Sequence, residues 1–247
     1  MQLAQRLPPT ILVAAAFSLA GLVAIVFLLL TAPEPLRQRS LTDDPRLPTS
    51  SDLRLRLQPS RPLPYRHVAG WEEYPVKGQD ASGRVAAFRV LVLPGDQHWQ
   101  FASDEVVLGP DGNEIDVRAR LESPTIHELL ATGTHLICVG AASVEGSVPE
   151  EERRAAKRAG KLASWVSSVM PADLALYTLS LGRYTAHCDN CTQADTAPQR
   201  RVVLILVAAA HDGVDLRGAL RNALSNNPAF PLDLDRYSRF ELRRRRS

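Results

Sequence analysis

The sequence predicts an α/β (α+β) sandwich, a mixed sheet with helices packed on one face, preceded by a single transmembrane helix. Three observations predict it. An uncharged apolar run, Thr10 to Leu30, lies near the amino terminus. Short β-branched runs such as Arg201–Ala208 read as buried strands. The amphipathic stretch Pro149–Met170 reads as a helix between such strands.

No charged residue occurs between Arg6 and Glu34. As a helix, residues 10–30 would span about 31 Å, close to the hydrocarbon thickness of a bilayer. A cleaved signal peptide would have a shorter apolar core ending in small residues. This run ends in Leu28-Leu29-Leu30, so it is read as an uncleaved span. Ala16, Ala20 and Ala24, with Gly21 beside them, form a small-residue face on which two helices could pack closely. The span holds no Asp, Glu, Lys, Arg or His, so none of its side chains can carry a proton.

The organisation follows in order. Residues 1–9 are a short amino-terminal segment and 10–30 the span. Residues 31–64 are a linker carrying Pro33, Pro35, Pro45, Pro48, Pro59, Pro62 and Pro64 among arginines, extended rather than packed. Residues 65–226 form the folded domain, with a core at about 99–208, and 227–247 a basic tail ending in Arg243 to Arg246. Within the domain, Phe88–Leu93 is a strand stopped by Pro94-Gly95, and Gly109 to Gly112 is a turn. Residues 113–131 read weakly as helix, interrupted at Pro124. His135–Val139 is a buried strand. Ser147 and Glu150 have capping-box spacing at the start of the long helix. Ala155, Ala159, Leu162, Val166 and Val169 make its apolar face, and Pro171 ends it. Leu174–Leu181 and Arg201–Ala208 are strands, and Leu216–Leu224 a short amphipathic helix.

Composition excludes several classes. The chain has 247 residues, 45% hydrophobic and 23% charged, too apolar for a wholly disordered protein. Its 29 basic and 27 acidic residues leave a net charge of +2, which gives no electrostatic case for a nucleic-acid partner. Phosphate loops, nucleophile elbows and His-Glu metal motifs are missing, so no enzyme, cofactor or metal site is expected. The cluster His187-Cys188-Asp189-Asn190-Cys191 admits three readings: a local Cys188–Cys191 disulfide in an oxidising compartment, free thiols, or thiol redox or metal chemistry. A thioredoxin-type pair should open a helix, whereas this one sits in a loop between strands.

Several words from about Trp99 to Val207, in this order and spacing, resemble the OmpA-like domain. That domain also occurs at the carboxy end of the MotB flagellar stator protein. Trp99 to Asp104 is similar to the family's opening strand, and Leu108 to Gly112 to the turn after it. The word Gly140-Ala141-Ala142-Ser143-Val144-Glu145-Gly146 stands where the family has Gly-His/Tyr-Thr-Asp-x-x-Gly. Arg154-Ala155-Ala156-Lys157-Arg158-Ala159 stands for Leu-Ser-x-x-Arg-Ala, and Gln199-Arg200-Arg201-Val202 for Asn-Arg-Arg-Val. The resemblance covers a little under half of the chain.

The resemblance implies an OmpA-like sheet and non-covalent binding of peptidoglycan. In the family an Asp faces the ammonium of diaminopimelate and an Arg forks onto a carboxylate. Here Arg158 holds the Arg position, but Ser143 replaces the Asp, removing about 1–3 kcal/mol of charged hydrogen bond. Glu145 could supply the acid from another angle, and Arg200 and Arg201 would brace the site. The departure makes the site degenerate, with the fold kept and the ligand lost or changed. Arg158 then becomes a helix-surface cation beside Glu151 or Glu152.

The expected function is a single-pass envelope scaffold that binds partners, other subunits of a membrane complex or further copies of itself. The first alternative is a true peptidoglycan anchor using Arg158. The second is a thiol redox protein using Cys188 and Cys191. An ion-conducting stator would need an acidic residue in the span, which is absent. For location, Arg37, Arg39, Arg46, Arg54 and Arg56 after the span would hold the domain in the cytoplasm. The resemblance implies a bacterial inner-membrane protein with a periplasmic domain, and that is the orientation expected.

Overall fold

A computed structural model describes residues 65–227 and 230–245. The predicted span, with its Ala16, Ala20, Gly21 and Ala24 face, and the linker 31–64 lie outside the described residues. Among the described residues no helix is long and apolar enough to cross a membrane.

Among the described residues there are nine strands: β1 (Arg66–Val68), β2 (Trp71–Gln79), β3 (Val85–Val92), β4 (His98–Trp99), β5 (Val107–Leu108), β6 (His135–Ala142), β7 (Ala175–Arg183), β8 (Val203–Ala210) and β9 (Glu241–Arg244). The helices are α1 (Val117–Leu121), α2 (Pro124–Leu130), α3 (Val148–Ser167), α4 (Gln193–Thr196) and α5 (Leu216–Ser225). Seven strands form one sheet in the order β1-β2-β3-β8-β6-β7-β9, and β4 with β5 makes a small ribbon. Every pair in the large sheet is antiparallel except β6 with β7. Those two parallel strands are joined by the crossover helix α3, as parallel neighbours require.

Helices cover both faces of this sheet, not one. On one face α5 packs with Val76, Phe88, Ile137, Ile205 and Leu179. On the other, Leu121 of α1, Ile126 of α2 and Leu162 of α3 pack against Leu136, Cys138, Leu204 and Leu206. The alternation along β6 explains the correction. Leu136 and Cys138 point to one side, Ile137 and Val139 to the other, and both sets are apolar and buried. A strand apolar on both parities needs cover on both faces.

Two glycines set how closely the helices approach. A Cβ on Gly140 of β6 would stand 2.6 Å from the Ala159 amide nitrogen of α3. A Cβ on Gly78 of β2 would stand 2.6 Å from the Ala223 amide nitrogen of α5. Only glycine leaves room for helix backbone at that distance.

Local signals account for most boundaries. Ser147 is the N-cap of α3, but its hydroxyl donates to the Glu150 carboxylate (2.8 Å) rather than accepting from the backbone. The weak helix around 113–131 is two helices. Ser123 caps the second and Pro124 occupies its first turn, where a missing N–H costs nothing. The segment read as a basic tail contains a strand. β9 pairs with the β7 edge from Ser180↔Glu241 to Tyr177↔Arg244, while Phe240 and Leu242 pack into the core.

Candidate functional site

α3 carries Arg158 inward. Glu151, Ala155, Arg158, Leu162 and Val166 fall on one stripe of the helix, and all are buried. The Arg158 side chain is fully enclosed. Its Nε donates to the Ser103 carbonyl (2.9 Å), one Nη to the Ala141 carbonyl (2.8 Å) and the other to the Gln100 carbonyl (2.9 Å). The guanidinium also lies 5.8 Å from the centre of the Trp99 ring, which stacks on Trp165 at 5.5 Å. Burial, with the Arg200 charge beside it, brings the Arg158 pKa down to about 9, so it stays charged at neutral pH. The expectation of a helix-surface cation paired with Glu151 or Glu152 is therefore corrected. Glu151 pairs with Arg154, and Glu152 with Arg239 at 2.6 Å.

Arg200 is the second buried cation. It ends a single 3-10 turn, Ala197–Arg200, that follows α4. It donates to the Trp99 carbonyl (3.1 Å), the Thr196 hydroxyl (2.8 Å), the Gln193 carbonyl (3.0 Å) and the Glu145 carboxylate (3.1 Å). Glu145 also accepts from the Thr196 hydroxyl. Burial works to raise the Glu145 pKa. Hydrogen bonds from Ser143 and Thr196 and the charge of Arg200 outweigh it and hold the carboxyl below its ordinary value. Ser143 itself is buried.

The structure thus gathers buried Ser143, Arg158 and Arg200 with partly exposed Glu145 into one polar cluster. Arg201 is not part of it. Its backbone bridges to His98, and its guanidinium lies beside Gly95. The loop after β6 is fastened from several sides: the Val144 amide donates to Gln199 (3.0 Å), and Arg183 donates to the Val144 carbonyl. Gln100, Ser103, Gln193 and Thr196 hold the cluster together and carry no motif that the sequence reading used. Chemically, the cluster can fix loops to the sheet. Its cations have no face open to a solute.

Cys188 and Cys191 are joined by a disulfide, their Cα atoms 5.7 Å apart, in an exposed loop. His187 and Asp189 in the same loop form an exposed pair at 2.7 Å. The helix that follows, α4, is a single turn closed by a Thr192–Asp195 capping box. Among the described residues no group of three or more His, Cys, Asp or Glu is placed to hold a metal ion.

No family model matches the chain, and no curated protein does. Solved structures are similar in fold. The periplasmic domain of MotB (residues 64–256) is 16% identical, over 70% of this chain and 92% of that one, with a TM-score of 0.36. The periplasmic domain of Helicobacter pylori MotB (residues 90–256) is 18% identical, over 54% and 86%, with a TM-score of 0.34. The cell wall anchor of the T6SS from Pseudomonas aeruginosa is 15% identical, over 54% and 88%, with a TM-score of 0.33. Two of these are domains of the stator protein whose carboxy-terminal domain the sequence words resemble.

Proposed function

We propose that the chain is a membrane-anchored envelope scaffold. Its divergent OmpA-like domain lies on the periplasmic side and binds protein partners, and the family's ligand site has become an internal brace. One observation carries the reading. All three guanidinium nitrogens of Arg158 are spent on the main-chain carbonyls of Gln100, Ser103 and Ala141 inside the protein. To meet a ligand carboxylate, Arg158 would have to leave those acceptors, and the Ala141 carbonyl would be left unpaired in a buried site at a cost of about 1–3 kcal/mol. The substitute acid fares no better, since Glu145 is held by Thr196 and Arg200.

Sedimentation with purified peptidoglycan sacculi tests this. The full chain in uncharged detergent should stay in the supernatant at moderate salt. Pelleting that free diaminopimelate competes away would show a working cell-wall site and defeat the proposal.

A further inference from the structure

Arg239, Glu241, Arg243 and Arg245 alternate along the carboxy-terminal segment, so they share one side of it. That side looks toward α3, while Phe240 and Leu242 point into the opposite core. Between this row and α3 runs a groove of about 480 Å³. Its floor is low and partly hydroxylated, made by Ala156 and Gly160 of α3 and Thr178 and Ser180 of β7. Arg239 meets Glu152 at one end (2.6 Å), and Arg245 donates to the Gly160 carbonyl at the other (3.2 Å). That stretch of helix gives the groove a length of about 12 Å.

The groove's charges do not cancel. Glu152 is taken by Arg239, and Glu241 by Arg243 at 2.9 Å. Among the described residues, neither Arg153 nor Arg245 has a carboxylate within ion-pairing distance. Two uncompensated guanidinium groups therefore stand apart along a trough with hydroxyl donors between them. An elongated anion with several charges complements that layout, whereas a single carboxylate would reach one end only. Phosphate oxygens accept guanidinium forks and hydroxyl protons from many directions. A second copy of β9 fits poorly, because Arg243 and Arg244 would face like charges across the new ladder.

We propose that the α3–β9 groove binds a linear phosphate-bearing polyanion, gripped by Arg153 and Arg245. The full chain in uncharged detergent, titrated with sodium tripolyphosphate by calorimetry, should bind it, and more weakly as salt rises. The double variant Arg153→Gln/Arg245→Gln should weaken binding about tenfold or more while keeping its melting temperature. Arg118→Gln, on α1, should bind as the parent does. Absence of binding at low salt, unchanged binding in the double variant, or equal weakening by Arg118→Gln overturns the proposal. Micelles doped with phosphatidylglycerol, against phosphatidylcholine, distinguish the source. Groove-dependent binding of the anionic micelle assigns the phosphates to a row of neighbouring lipid headgroups. Groove-dependent binding of tripolyphosphate alone assigns them to a soluble polymer.

Discussion

Arg158 shows what a single position can hide. By its motif it stands where a ligand-facing arginine would be. By its spacing it belongs with Glu151, Ala155, Leu162 and Val166 on the buried stripe of α3. Steps of four, three, four and four residues mark that stripe, so the inward placement was readable from periodicity alone. A charged residue on that stripe has to find its acceptors inside the fold. The acceptors are main-chain carbonyls, two from the loop at Gln100 and Ser103 and one from β6 at Ala141, and no side-chain pattern announces those. Arg158→Met should therefore destabilise the domain by about 1–3 kcal/mol, since the buried Ala141 carbonyl loses its donor and the part-buried Gln100 and Ser103 carbonyls lose theirs. Arg158→Lys should not restore it, because an ammonium cannot reproduce the planar fork. The urea midpoints of both variants, beside an Arg153→Met control expected within about 0.5 kcal/mol of the parent, check this.

At the level of elements, β3, β6, β7, β8, α3 and α5 were legible because their patterns are long and apolar. β2 was not. Its run Trp71-Glu72-Glu73-Tyr74-Pro75 mixes charge and proline into a strand. Glu73 is buried only because Arg66 and Arg89, from the flanking strands β1 and β3, reach it at 2.8 and 2.6 Å. Pro75 is tolerated because β1 pairs only with Trp71–Glu73, leaving β2 an edge beyond that point. The turn after β2 holds another tie between elements. Asp80 accepts from the amides of Ser82 (2.8 Å), Arg84 (3.0 Å) and Asp215 (2.9 Å), the last being the N-cap of α5. The Asp215 amide first, then those of Arg84 and Ser82 and the Arg84 guanidinium, bring the Asp80 pKa down to about 2. A lowered carboxyl stabilises the fold above its unfolded pKa and loses that contribution as pH falls through its folded one. The melting temperature should thus fall from about pH 4 toward pH 2. Asp80→Asn should melt lower at pH 7 and lose part of that slope. A parent-like slope in the variant would remove Asp80 from the account.

On the scale of the whole molecule, the order of elements alone points to helices on one face, whereas the parity of apolar residues along each strand calls for cover on both. Leu204 and Leu206 of β8 face one layer, and Val203, Ile205 and Val207 the other. The two-sided cover follows from that run alone. The position of β9 could not be read, because its partner β7 lies far back in the sequence and its arginines mask the alternation of Phe240 and Leu242. The finished sheet has β1 at one edge and β9 at the other. Six strand spacings of about 4.8 Å set them roughly 29 Å apart. β1 is the strand nearest the predicted span in sequence, and β9 walls the basic groove. A pull between those two edges would run across the ladders rather than along them. The shortest ladder in that path is β1 with β2, three residue pairs against four for β7 with β9. Optical-tweezers traces between handles at positions 65 and 245 should show a small early lengthening of about 1–2 nm before the main rupture. One all-or-none event would sink the idea. Such a hem, stitched more lightly than the cloth behind it, would let the amino-terminal end of the domain take up a brief tug while the other six strands stayed joined.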